Sequence, residues 1–280
     1  MGIRDPVAGA LSAYSLSVRA TSAVTQAVLT GAPLDIPAYE QAAKATMEAG
    51  RTDRERADDE EIDRLMTEMT AGRKRTITRL RDANCSQWLT AMPVEEHAIS
   101  PTQFRDAVHH RLALEPAGLP AKCDGCGKPG TLEHFMNCKK GGLVTAGHNE
   151  IRDLCIELVS LVCKDVRSEP IMGPSDQAYD GDRGDFSCRG FWESGVTAFF
   201  DNRIVNADAP SYVAKGQTWK QTADNAANEK KKHYKDMAEA ARGSFTPLVC
   251  SVDGALQRDS EMFLKRLDAL LANKWYKHKG

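Results

Sequence analysis

The chain has 280 residues, of which 41% are hydrophobic and 27% are charged, and its formal net charge is −2 at pH 7. This composition is sufficient to bury a core, and the near balance of charge excludes a uniformly basic protein, so any surface for nucleic acid must be local. No stretch approaches the roughly 18 apolar residues of a membrane span, and residues 1–6 lack the apolar core of a signal peptide. We therefore expect a soluble, intracellular, non-membrane protein whose 8 cysteines are reduced.

The first part of the chain is typical of a helical region. Small and apolar residues recur at helical spacing over residues 8–29, and Gly31-Ala32-Pro33 ends the pattern. Residues 34–82 continue the helical pattern, but residues 52–61 are so rich in charge that only a solvated helix or a mobile linker fits them. We expect weak tertiary anchoring in this charged stretch.

A connector follows the helical region. Residues 88–93 indicate a short packed segment, and residues 100–112 indicate a capped helix. Pro116 and Pro120 then end the helical pattern, since proline cannot continue it.

Four metal-ligand side chains are concentrated in sixteen residues, from Cys123 to Cys138. Cys123 and Cys126 lie on a tight turn, and His134 and Cys138 share one face if residues 131–138 are helical. Three thiolates and one imidazole close a tetrahedron, which predicts a structural zinc knuckle; the alternative is a group of free thiols beside a surface histidine. Such knuckles also contact nucleic acid, and basic side chains surround this one. These are Lys122, Lys128, Lys139 and Lys140.

The last part of the chain changes from helical to alternating periodicity and back. A mixed α/β (α+β) core in the order α-β-β-β-α-β-α is predicted, and Glu193-Ser194-Gly195 folds the second and third strands into a hairpin. The predicted helices are residues 149–164, 228–242 and 261–274, and the predicted strands are residues 166–172, 183–192, 197–205 and 245–252.

Two carboxylates interrupt the predicted hairpin. Asp185 lies in one strand, and by parity Asp201 and Arg203 share a face of the other with Phe199. Two carboxylates on paired strands are able to hold Mg²⁺ through their oxygens, with a nearby cation balancing charge. Glu150 adds a third ligand or orients water. The alternative is an exposed ion pair between Asp201 and Arg203, with Asp185 as a turn residue.

The run Lys230-Lys231-Lys232 and His148 are further candidates. A solvated helix face is the favoured interpretation of the lysines, and contact with DNA phosphates is the alternative. His148 is a candidate substrate contact or helix cap.

With these motifs and this element order, the chain resembles the C-terminal region of non-LTR retrotransposon proteins. In that family a reverse transcriptase is followed by a Cys-Cys-His-Cys knuckle and a restriction-enzyme-like endonuclease of the PD-(D/E)xK superfamily. The opening Gly2-Ile3-Arg4-Asp5-Pro6 is similar to the start of the polymerase thumb. Other similar strings are Cys138-Lys139-Lys140-Gly141-Gly142, His148-Asn149-Glu150-Ile151, Gly184-Asp185, Ala198-Phe199-Phe200-Asp201 and Phe245-Thr246-Pro247-Leu248.

The resemblance implies a role for each matching residue. Glu150 matches the helix acid, Asp185 and Asp201 match the two motif acids and magnesium ligands, and Arg203 stands at the usual lysine. Arginine stays charged and cannot shuttle a proton as lysine does. In some family members the lysine moves to the following helix. Here that implies that one of Lys230, Lys231 and Lys232 supplies it, with Lys231 taken as the catalytic lysine. The expected nucleic-acid contacts are Lys139, Lys140, His148, Lys230 and Lys232.

The resemblance also implies an organisation and a function. Residues 1–84 are expected to be a helical thumb or linker, residues 85–142 a connector with the zinc knuckle, and residues 143–280 the endonuclease-like domain. The implied activity is metal-dependent nicking of DNA for target-primed reverse transcription, in the nucleus. DNA, RNA and a reverse transcriptase are the implied partners, with zinc structural and magnesium catalytic. Because Gly184 replaces the usual proline, Arg203 the lysine and Gly147 a frequent arginine, the alternative is an inactive nucleic-acid-binding or scaffold remnant.

Overall fold

A computed structural model describes residues 6–82, 85, 98–140, 142–173 and 182–276. The chain divides into two compact units, Met1–Thr70 and Ala71–Gly280. The predicted packed segment at residues 88–93 and residues 2–5 of the opening motif lie outside the described residues. Within the described part, no helix has the length and apolar character needed to cross a membrane.

The first unit consists of two helices, α1 (Pro6–Thr30) and α2 (Ile36–Thr67). Asp35 begins α2 as its N-cap, because its carboxylate accepts the Ala38 N–H at 3.1 Å. The two helices pack where Leu16 lies over Gly50, and a Cβ atom at Gly50 would be 2.5 Å from the leucine methyl. The charged stretch at residues 52–61 is a solvated helix, and i,i+4 ion pairs lie along its surface.

The second unit is a mixed α/β structure. Its last seven principal elements follow the predicted order α-β-β-β-α-β-α, with one short extra helix after the third strand. The helices are α3 (Ala71–Asp82), α4 (Pro101–Arg111), α5 (Leu132–Asn137), α6 (Leu143–Ser160), α7 (Pro210–Val213), α8 (Trp219–Ala240) and α9 (Arg258–Tyr276). The strands are β1 (Lys164–Ser168), β2 (Phe186–Arg189), β3 (Thr197–Val205) and β4 (Gly243–Ser251).

The four strands form one sheet in the order β1-β2-β3-β4. β2 pairs antiparallel with β1 and with β3, so the predicted hairpin is present, with Phe186 opposite Phe200. β4 pairs parallel with β3, with Asp201 opposite Pro247, and α8 makes the crossover between them. The long strand β3 therefore has a neighbour on both edges, and its side chains are covered on both faces.

The two faces of β3 carry separate clusters, as alternation along a strand requires. On one face Phe200 stacks on Phe186 with ring centroids 4.7 Å apart, and both pack against α6 and α9. On the other face Phe199 packs against Tyr234 of α8. The predicted parity is confirmed, so Asp201 lies on the α8 face together with Phe199.

α3 is part of the second unit, although the predicted first region extends through it. Arg79 of α3 is buried and reaches Asp208 at 2.6 Å and Asp253 at 2.5 Å. These acids lie in the loops that follow β3 and β4. The ion pairs bind α3 to the loops at the ends of β3 and β4.

Candidate functional site

The four predicted zinc ligands come together in the structure. One ligand atom from each residue lies within 4.8 Å of the other three. The residues are Cys123, Cys126, His134 and Cys138. Cys138 Sγ lies 3.7 Å from each of the other two sulfurs. A tetrahedral zinc with Zn–S bonds of about 2.3 Å has S···S edges of about 3.8 Å, so the thiols have the spacing that this ion needs.

Local hydrogen bonds arrange this Cys/His cluster. The Gly127 N–H donates to the Cys123 carbonyl at 2.7 Å, and the Cys123 N–H donates to the Lys128 carbonyl at 2.9 Å, which turns the two thiols inward. Gly127 has φ +72°, a left-handed conformation that glycine adopts without strain. Thr131 caps α5 and presents His134 to the cluster. The cluster could hold a metal ion with no position left for a reacting water.

Asp185 lies immediately before β2 and is bound to β3. Its carboxylate accepts the Asn202 N–H at 2.5 Å, and its own N–H donates to the Phe200 carbonyl at 2.9 Å. Because β2 begins only at Phe186, the Asn202 N–H of β3 is bound by the Asp185 side chain instead of by a backbone carbonyl of β2. The geometry holds Asp185 beside the β3 residues that flank Asp201.

Asp201 is buried on the α8 face, and its positive partner comes from α8. Lys230 Nζ lies 2.5 Å from Asp201 Oδ2, so the two side chains form an ion pair. Burial raises the pKa of the Asp201 carboxyl, Lys230 opposes this shift, and the charge of Asp185 adds to it. The two acids are therefore close enough to feel each other's charge.

His148 of α6 contacts the acidic pair, which we define as Asp185 and Asp201. Its Nε2 atom lies 3.1 Å from Asp185 Oδ2 and 3.3 Å from the Asn202 carbonyl oxygen. The hydrogen bond to Asp185 raises the pKa of His148 above its ordinary value. His148 thereby helps to hold Asp185 in place, and its role as a nucleic-acid contact stays a prediction.

Three predicted catalytic residues have surroundings other than the carboxylates of the acidic pair. Arg203 forms an ion pair with Glu229 at 2.6 Å, and Lys231 forms one with Asp259 at 2.7 Å. Glu150 is exposed on α6 and lines a different cavity. The lysine at the acidic pair is Lys230, one of the three lysines that the resemblance allows as the source of the catalytic lysine.

Two cavities border this region. One of about 560 Å³ is lined by His148, Arg203, Lys230 and His233, so it combines four basic groups. Asn202 lies at the wall of this cavity and of a larger apolar one; within the described chain its buried amide atoms have no hydrogen-bond partner. The remaining predicted nucleic-acid contacts, Lys139, Lys140 and Lys232, are exposed.

The acidic pair offers two carboxylates and the Asn202 carbonyl oxygen, which are the ligand types that Mg²⁺ prefers. Because Asp201 is buried and has one ammonium partner, an ion would share or displace the contact with Lys230. The residues present therefore fit a divalent cation in chemistry. Comparison of the chain with models of known protein families and with curated proteins finds no match.

Proposed function

We propose that the second unit is a metal-dependent DNA endonuclease of the PD-(D/E)xK type. The observation that carries this proposal is the acidic pair on neighbouring strands with a lysine 2.5 Å from one of its acids. The order α-β-β-β-α-β-α around a mixed sheet supports it. The proposed reaction is hydrolysis of one phosphodiester bond of a DNA strand.

Each side chain of the site has a role in this reaction. Asp185 and Asp201 would hold a magnesium ion, and Lys230 would stabilise negative charge on the phosphate as the bond to the leaving oxygen breaks. When bound, the ion polarises the phosphodiester and lowers the pKa of the attacking water. His148 is a positioning residue, because it fixes Asp185 against the carbonyl of Asn202.

The Cys/His cluster is proposed to bind zinc and to contact nucleic acid through the exposed lysines beside it. With the resemblance to retrotransposon proteins, this supports a nick that primes reverse transcription in the nucleus. DNA, the RNA that is copied and a reverse transcriptase are the proposed partners. Arg203 is not needed as the motif lysine, because Lys230 already lies at Asp201.

A plasmid-nicking assay with and without Mg²⁺ tests the proposal. We expect nicking by the wild type only with the ion, and a loss of about 100-fold or more in Asp185→Ala and Lys230→Met. Asp236→Asn is the matched control, since Asp236 is an exposed acid on α8 away from the pair. Nicking that needs no metal, or that survives Asp185→Ala, contradicts the proposal.

A second candidate is a nucleic-acid-binding or scaffold remnant without catalysis. It is favoured by the ion pairs themselves, because Lys230 neutralises Asp201 and Glu229 neutralises Arg203 without any added ion. A wild type that binds DNA but fails to nick it in Mg²⁺ or Mn²⁺ would select this candidate.

A further inference from the structure

A basic groove lies between α3, the start of α8 and the start of α9. Its volume is about 1130 Å³, which makes it larger than the cavity beside the acidic pair. Six basic side chains line it: Lys74, Arg75, Arg79, Lys220, Lys231 and Arg258. We call it the α3 groove.

Half of these cations are already neutralised by carboxylates of the protein. Arg75 and Arg79 pair with acids behind the groove, and Lys231 pairs with Asp259. Lys74, Lys220 and Arg258 form no ion pair among the described residues. Three acids also line the groove: Asp259, which pairs with Lys231, and Asp224 and Glu261. The Asp224 carboxylate accepts a hydrogen bond from Gln257. The three unpaired cations, which lie on three separate elements, thus exceed the two remaining acids by one charge.

Two further features of the groove favour a phosphate backbone. α8 begins there with the Thr218 cap and has no acidic residue in its first turn, so the positive end of its dipole is not opposed. Trp219 lies beside Lys220 in the wall and is partly exposed, which gives an aromatic surface next to a cation. A cationic groove with an aromatic side chain is the arrangement that binds polynucleotides without regard to sequence.

We propose that the α3 groove binds the phosphate backbone of a nucleic acid, at a site separate from the acidic pair. Lys74, Lys220 and Arg258 contact phosphates, and Arg75 and Arg79 shape the wall through their ion pairs. Two adjacent residues of α8 belong to different sites: Lys231 lines the α3 groove, and Lys230 contacts Asp201 of the acidic pair. This inference does not require the acidic pair to be catalytic.

Fluorescence anisotropy with labelled duplex and single-stranded oligonucleotides tests the groove, using the full chain with its cluster metal retained and no Mg²⁺ added. The test variant is the triple substitution Lys74→Gln, Lys220→Gln and Arg258→Gln. Each lost phosphate contact reduces the slope of log affinity against log salt by about 0.9 on duplex DNA. We expect the slope to fall by about 2 to 3 and the affinity near 0.1 M salt to fall by at least about tenfold.

The control is the triple substitution Lys164→Gln, Lys215→Gln and Lys265→Gln, which removes the same charge from exposed positions outside the groove. It should bind within about twofold of the wild type, and both variants should unfold at the wild-type urea concentration.

Equal losses of affinity in the two triple variants, or wild-type affinity in the groove variant, overturn the proposal. A parallel titration with polyglutamate in which binding falls by the same factor would assign the groove to acidic proteins. If the protein does not nick DNA but the groove triple still weakens binding, the endonuclease proposal is rejected and the groove proposal stands.

Discussion

Asp201 and Glu229 both pair with a basic side chain, but their surroundings differ. The Asp201 side chain is only 7% exposed and that of Glu229 is 70% exposed. Ionising a buried carboxylate is costly unless a cation compensates it, whereas water and salt screen an exposed pair. Lys230 should therefore matter far more for folding than Arg203, although each makes one ion pair.

This difference gives a prediction at the scale of single residues. Lys230→Met should lower the free energy of unfolding at neutral pH by about 3 to 5 kcal/mol, because it leaves the charge of Asp201 buried and uncompensated. Arg203→Met should lower it by about 0 to 1 kcal/mol. Urea unfolding followed by circular dichroism measures both values.

The control for this comparison is the double variant Asp201→Asn, Lys230→Met, which removes both charges. It should recover much of the stability that Lys230→Met loses, since a buried pair is replaced by neutral groups. Equal losses in Lys230→Met and Arg203→Met would show that Asp201 is solvated or differently paired.

The register of a helix explains why the sequence alone could not show which residues of α6 and α8 contact the acidic pair. Adjacent positions on a helix point about 100° apart, so a run of three lysines does not reveal which one faces the sheet. In the structure Lys230 faces Asp201 and Lys231 faces Asp259. Likewise, on α6 His148 contacts Asp185, whereas Glu150, two residues further on, is exposed and lines the larger apolar cavity.

At the scale of elements, α3 depends on one buried guanidinium. The side chains of Arg79 and Asp253 are 4% and 3% exposed, and Asp208 is the second acid of this network. Arg79→Met should destabilise the second unit by about 3 to 5 kcal/mol, because it leaves the buried charge of Asp253 without a cation. Arg75→Met should lower the free energy of unfolding by less. Arg75 is 27% exposed, and its partner Asp208 remains paired with Arg79. Urea unfolding of the two variants tests the order; a larger loss in Arg75→Met contradicts it.

Acid should weaken the same network. Burial alone would raise the pKa of Asp208, but hydrogen bonds from Arg79, Arg75 and Thr76 hold that pKa below its ordinary value of 3.8. Such a carboxylate stabilises the fold above the unfolded pKa, and this stability is lost as the pH falls through the lower folded pKa. Between about pH 5 and about pH 2 the wild type should therefore lose stability more steeply than Asp208→Asn. Parallel slopes in urea titrations at several pH values would exclude this role for Asp208.

The sequence predicted the elements of the sheet better than their attachments. Alternation and turn residues are local signals, so the hairpin of β2 and β3 and the helices α6, α8 and α9 could be predicted. The attachment of α3 could not, because Arg79 meets acids that lie 129 and 174 residues away. The Cys/His cluster was predictable in full, since its four ligands span sixteen residues and have few alternative roles.

At the scale of the whole molecule, the Cys/His cluster lies in the segment of the chain that joins α4 to α6. α5 supplies His134 and packs beside α6, and both helices line the larger apolar cavity. Because metal binding contributes directly to the folding of such small motifs, loss of one thiolate should loosen the chain from Cys123 to Cys138 and free the adjoining face of α6.

A cysteine pair provides the test of this coupling. Cys126→Ser should lose about one zinc per chain and make the segment from Cys123 to Cys138 sensitive to protease, because three ligands do not close a structural site. Cys155→Ser is the control. Cys155 lies on α6 outside the Cys/His cluster, and burial raises the pKa of its thiol to about 12. Metal analysis and limited proteolysis measure the two effects. If Cys126→Ser retains its zinc, or if Cys155→Ser loses as much, the ion is bound elsewhere and the cluster does not organise this end of the unit.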